Sequence, residues 1–179
     1  LTENKNVVRF IFVGRAERRK GIKEINEVLN KIKDFTSFEF HFVGPIEESE
    51  QIRNANITYH GAIYDANTLR SILDKMDILV CPSYSEGMPN VIMEGMARGC
   101  AIIATDVGAV NAMVNVDNGW LIEKDIAKEL ELAIVKAVNI SQQELLSKKI
   151  MSLKRVEANF TWEGVIKQTQ NKIAKIIND

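Results

Sequence analysis

The chain has 179 residues, enough for one domain that buries roughly 70% of its unfolded surface without disulfide or metal staples. With 46% hydrophobic and 26% charged residues its composition is that of a folded globular chain, and a net charge of -1 gives no basic footprint for nucleic acid. No run approaches the ~18 apolar residues of a membrane span, and Cys81 and Cys100 stand isolated among apolar neighbours, which points to buried reduced thiols rather than a metal or redox site.

Residues 1–6 lack an initiator methionine and resemble neither a signal peptide nor a strand; they read as a cut linker, which implies a fragment of a longer protein. Val7–Val13 and Phe38–Val43 are short β-rich runs, each closed by a glycine, and between them Ile22, Ile25, Val28, Leu29 and Ile32 recur at helical spacing. Together they make one βαβ unit. The alternation continues through a strand at Ile57–His60, a helix capped by Asp65, a strand at Asp77–Cys81, a helix starting at Pro89 and a strand at Ala101–Ala104. A sixth strand, Gly119–Ile122, precedes a helical remainder. There Ser141 with Glu144 forms a capping box and Thr161 caps a last helix whose Trp162, Ile166, Ile173 and Ile177 share one packing face. Strands alternating with helices predict a parallel sheet of about six strands covered on both faces, a doubly wound α/β fold with extra C-terminal helices. A single domain, residues 1–179, is expected, with no internal repeat.

Ligands of such folds lie at the carboxyl ends of the strands, and two loops there carry chemistry. After the first strand come Gly14, Arg15 and, five residues on, Lys20: a planar fork and a compact charge, both suited to phosphate. The same charges also fit a solvated basic loop. After the fourth strand come Glu86, Gly87, Met88 and Pro89, then a helix whose first N–H groups, at Asn90 and Val91, would face an anion. Glu94 lies one turn beyond Asn90 and can share its face. Gly95 and Gly99, also one turn apart, would let this helix approach the sheet closely.

Two glutamates also fit a glycosidase, but nearby cations and the helix N-terminus favour two ionised carboxylates, which suit hydroxyl binding better than general acid work. Neither GxxxxGK[ST] nor GxGxxG is present. His41 and His60 have no third ligand spaced for zinc and read as core or edge residues. Asp106 and Asn111 are within reach of the cleft, though Thr105-Asp106-Val107-Gly108 fits a turn and helix cap equally well.

In combination and in order, Val13-Gly14-Arg15, Lys20-Gly21, Pro82-Ser83, Glu86-Gly87-Met88-Pro89-Asn90-Val91, Glu94-Gly95-Met96-Ala97 and Gly99 resemble the donor half of GT-B retaining glycosyltransferases, glycosyltransferase family four, group 1. The resemblance runs from about Val7 to Ile177. It implies a Rossmann-like, cytoplasmic donor-binding domain that acts on a nucleoside diphosphate sugar, UDP-linked by family frequency, without a metal or other cofactor. Glu86 would meet sugar hydroxyls, Glu94 the ribose, Arg15 and Lys20 the diphosphate, and Gly87 to Val91 the sugar and phosphate. Gly61, Ala62, Ile63 and Tyr64 would flank the nucleobase. Gly95 departs from the alanine often found there, which should weaken its helix by up to ~1 kcal/mol. The family's first domain, which carries the acceptor site and any contact with the membrane surface, is absent from these residues, so little transfer is expected of them alone. A non-catalytic nucleotide-sugar-binding module and a sugar-nucleotide epimerase of related fold are the competing readings. The lack of a cleft histidine counts against the second.

Overall fold

The structure, a computed structural model, describes residues 7–178; residues 1–6, read above as a cut linker, lie outside the described residues. Six strands, β1 (Val8–Val13), β2 (Phe38–Val43), β3 (Ile57–Tyr59), β4 (Ile78–Cys81), β5 (Ala101–Thr105) and β6 (Gly119–Ile122), form one sheet in the order β3-β2-β1-β4-β5-β6. Every pairing is parallel. The order reverses between β1 and β4, and in open α/β sheets the crevice above such a reversal is where ligands bind.

Alternation along the strands divides the core in two. On one face Phe10, Phe40, Phe42, Ile78 and Ile103 pack under α1 (Ile22–Lys31) and α5 (Ile126–Val138), which contribute Ile25, Leu29, Leu130 and Ile134. The rings of Phe40 and Phe42 lie 4.7 Å apart, and that of Tyr59 stacks on Phe42 at the same distance. On the other face Ile11, Leu79, Cys81, Ile102 and Ala104 meet α2 (Ala66–Leu73), α3 (Asn90–Ala97) and α4 (Val110–Met113) through Leu73, Ile92, Met96 and Met113. The central strands are buried on both faces, as parallel strands between helices must be. The doubly wound sheet expected from the alternation is therefore the one observed.

Local signals held where they rested on hydrogen-bond chemistry. Asp65 accepts from the Thr68 N–H at 2.7 Å, Ser141 from Glu144 at 3.1 Å and Thr161 from Gly164 at 3.1 Å. Cys81 and Cys100 are free and buried, and burial pushes the Cys100 thiol up to about 12.

Three expectations need correction. Pro89 is the N-cap of α3, not its first residue: its ψ of 111° is extended, and its carbonyl accepts from the Ile92 N–H at 3.1 Å. Gly95 does bring α3 onto the sheet, since a Cβ there would stand 3.2 Å from Leu79 Cβ, but Gly99 does not. It follows the C-cap Arg98 at φ 76°, the left-handed conformation in which glycine commonly ends a helix. Finally, the C-terminal helices are less packed than their periodicity predicts. In α7 (Trp162–Asn178), which follows α6 (Gln142–Asn159), Trp162 is 82% exposed and Ile176 and Ile177 are each 76% exposed.

Candidate functional site

The donor-site residues expected from the sequence fall on loops, a 3-10 turn and helix α3 at the carboxyl edge of the sheet. Gly14 leaves β1 hydrogen-bonded to the Val43 carbonyl at 2.9 Å, so the β1 and β2 ends are tied side by side. A 3-10 turn at Arg18–Lys20 then brings Lys20 across the β1–β4 reversal. Its Nζ lies 2.5 Å from Glu86 Oε1, with only 20% and 10% of the two side chains exposed. Two loops distant in sequence thus meet through one ion pair directly above the crevice.

The Glu86 loop has further supports. Tyr84 donates its N–H to the Arg19 carbonyl at 2.8 Å and its hydroxyl to Glu24 at 2.6 Å, binding the loop to α1 and the turn before it. Ser83, 1% exposed, sits beneath with its hydroxyl 3.6 Å from Cys81 Sγ. Burial, the largest single influence on the Glu86 carboxyl, pushes its pKa up. Hydrogen bonds from Lys20 and Ser83, with the Lys20 and Arg19 charges, outweigh it and hold the group below the usual carboxylate range. Glu86 is thus held ionised, as its surroundings predicted.

Beyond Glu86, Gly87 and Met88 are exposed, Pro89 is buried and α3 begins. The N–H groups of Asn90 and Val91 have no acceptor among the described residues, so the N-terminus of α3 presents two unsatisfied donors next to the ion pair. Glu94 is exposed, and no hydrogen bond or ion pair holds its carboxylate among the described residues. Arg15 is not drawn into the pair either: its guanidinium, 78% exposed, lies 3.8 Å from Glu17 Oε1. Gly61 to Tyr64 form the loop between β3 and α2, where Gly61 and Ala62 are exposed, Ile63 packs partly against the core and Tyr64 is 96% exposed.

The structure therefore brings Lys20, Glu86 and the start of α3 together, and leaves Arg15, paired only with Glu17, and the exposed Glu94 and Tyr64 outside that cluster. Asp106 and Asn111 are exposed and bonded to neither glutamate, and α4 is capped by Ala109 without a side-chain bond, so the cap expected from Thr105–Gly108 is absent while the turn is present. His41 and His60, read in the sequence as core or edge residues, lie on β2 and just past the edge strand β3 and face one another with Nδ1 and Nε2 3.0 Å apart. Among the described residues no group of three or more His, Cys, Asp or Glu is placed to hold a metal ion. Ser83, Tyr84 and Thr105 were missed. They hold the Glu86 loop and its carboxylate through hydrogen bonds from neutral hydroxyls and main-chain groups, which leaves no charge or spacing pattern to find.

A sheet in this order, with an ion pair and an open helix N-terminus over its switch point, defines a doubly wound α/β protein with its candidate site at the strand carboxyl ends. Comparison narrows the class: the model of the family Glycosyl transferases group 1 matches residues 7–139, and the chain belongs to that family. It is 33% identical over 126 residues to the teichuronic acid biosynthesis glycosyltransferase TuaC of Bacillus subtilis, covering 70% of this chain and 32% of that protein. It is 32% identical over 124 residues to the N,N'-diacetylbacillosaminyl-diphospho-undecaprenol alpha-1,3-N-acetylgalactosaminyltransferase of Campylobacter jejuni, covering 67% of this chain and 32% of that protein. The C-terminal domain of a glycosyl transferase group 1 protein, LpcC of Francisella tularensis, superposes with a TM-score of 0.73 at 22% identity, over 88% of this chain and 89% of that one. The fold is thus that of one half of a GT-B glycosyltransferase. The chain spans about a third of the length of these two curated relatives. Among the described residues no helix is long and apolar enough to cross a membrane.

Proposed function

We propose that residues 1–179 form the donor-binding half of a retaining glycosyltransferase that takes a nucleoside diphosphate sugar, with UDP as the expected nucleotide. The observation that carries this reading is the Lys20–Glu86 pair beside the unsatisfied N–H groups of Asn90 and Val91. It sets a cation and two amide donors where a diphosphate would lie, and a carboxylate immediately beyond, where sugar hydroxyls would donate to it.

In this reading Glu86 receives the sugar, Glu94 the ribose, Gly14, Arg15 and Lys20 the diphosphate, and Gly61 to Tyr64 the base. The bond between the anomeric carbon and the diphosphate oxygen breaks while an acceptor hydroxyl bonds to that carbon on the same face, so configuration is retained. The hydroxyl proton leaves with the departing diphosphate. Negative charge grows on that diphosphate, and Arg15, Lys20 and the α3 N-terminus stabilise it electrostatically without a metal ion. The acceptor, a sugar or lipid-linked sugar of the kind named for the Campylobacter relative, would be held by a further domain. Closure of that domain over the crevice would keep water from the activated sugar.

The two carboxylates separate in a binding experiment. Glu94→Gln should weaken the nucleoside diphosphate and its sugar ester alike, by about tenfold or more, the weight of a charge-assisted hydrogen bond of roughly 1.5–3 kcal/mol. Glu86→Gln should spare the bare nucleotide, because Lys20 is then released to the phosphates, and remove the extra affinity given by the sugar. Calorimetry with both ligands reads the difference; equal loss of the two ligands in Glu86→Gln would refute the assignment.

A further inference from the structure

The end of β5 and the turn after it reach sideways to the loop that carries Glu86 and meet that loop at its main-chain atoms. Thr105, 3% exposed, donates its hydroxyl to the Ser83 carbonyl, and its Oγ1 also lies 3.5 Å from the Cys81 carbonyl. The Ala109 N–H donates to the Gly87 carbonyl at 2.8 Å. Between them Gly108, at φ 59°, lies so close that a Cβ would stand 2.1 Å from the Glu86 carbonyl oxygen and 2.5 Å from that of Gly87. Backbone presses on backbone here, so a side chain at position 108 cannot be absorbed by a rotamer change; the Glu86–Gly87 peptide itself has to move.

That peptide carries the carboxylate assigned to the sugar. Glu86 belongs to no helix or strand, and its aim depends on where its main chain is fixed. The Lys20 pair fixes the carboxylate end from the β1 side, whereas the β5 turn fixes the main-chain end from the opposite side. Misplacement of a substrate-positioning group by about 1 Å can cost on the order of a hundredfold in rate. We propose that Thr105, Gly108 and Ala109 are positioning residues that set Glu86 and Gly87 for the glycosyl group of the donor. The proposal rests on the donor-site reading above, and none of the three need touch the donor.

The test measures affinities for UDP, GDP and ADP and for UDP-N-acetylglucosamine, GDP-mannose and ADP-glucose, and takes the ratio of sugar ester to bare diphosphate for the nucleotide that binds. Gly108→Ala should lower that ratio by about tenfold, as loss of a sugar-to-carboxylate hydrogen bond would. Thr105→Val should lower it in the same direction, while Thr105→Ser, which keeps the hydroxyl, should restore it. A purely structural role would lower the melting temperature and leave the ratio unchanged in the folded fraction, and that result in both Gly108→Ala and Thr105→Val overturns the proposal. Should Gly108→Ala not fold, the Thr105→Val and Thr105→Ser pair decides alone. If the wild-type chain binds none of the six ligands, the donor-site reading fails and the proposal falls with it. That failure is read before any variant is compared.

Discussion

Lys20 and Glu86 each hold the other's charge in a half-enclosed place, which separates Lys20 from Arg15 although both are expected on the diphosphate. Removing Arg15, 78% exposed, takes away only a weak surface pair with Glu17 and what it gives a ligand. Arg15→Ala should therefore weaken nucleoside diphosphate binding by about 1.5–3 kcal/mol with the melting temperature unchanged. Lys20→Ala should show a comparable binding loss together with a lower melting temperature, because Glu86 would keep a mostly buried charge without its partner. Melting and titration of both variants check this; identical melting temperatures would mean that the pair contributes nothing to the fold. The histidine pair gives a pH dependence of defined sign. Burial lowers the pKa of His41, against the opposing pull of Glu39 and with a smaller push from Arg9, and burial followed by the His41 charge lowers that of His60. The unfolded chain takes up protons near the ordinary value of 6.5 while the folded pair resists, so stability is complete above that pH, falls as pH drops below it, and levels off once the folded pair is protonated. Denaturant midpoints measured across this range should decline toward acid, and His60→Asn should flatten the decline.

The helix α3 shows what was legible at the level of elements and what was not. Its place after a buried strand, its start beside Pro89 and its carboxylate at Glu94 could be read from residue types, since apolar runs, proline and charge each leave a local mark. Gly95 and Gly99 were both expected to let the helix approach the sheet; only Gly95 does, against Leu79, and Gly99 turned out to be a helix terminator. Two glycines four residues apart do not say which faces the sheet and which faces the end. The structure also changes the expected effect of an alanine at 95. Propensity alone favours it by up to ~1 kcal/mol, but its Cβ would press on Leu79, fully buried in the core, at 3.2 Å, and overpacking of this kind costs about 1–3 kcal/mol. Gly95→Ala should therefore lower the melting temperature; a rise would show that Leu79 yields. The contacts missed altogether, Ser83 under Glu86 and Gly108 against its carbonyl, join β4 and β5 loops through main chain. No pattern of residue types encodes such contacts before the strands are placed side by side.

Across the molecule, a doubly wound parallel sheet of about six strands could be anticipated as a class, because alternating strand and helix signals and right-handed crossovers leave few other arrangements. The neighbours of each strand could not, and it is the adjacency of β1 and β4 that makes one site of Lys20 and Glu86. The C-terminal helix α7 was read as packing from its apolar spacing; it does rest on α6, but Ile166, Ile173, Ile176 and Ile177 each stay at least half exposed. The central claim, that this sheet edge is a donor site, is tested most directly by calorimetric titration of the 179-residue chain with UDP, GDP and ADP. The account predicts saturable binding of at least one of them, UDP in the first place, that Glu94→Gln weakens. No heat with any of the three would contradict it.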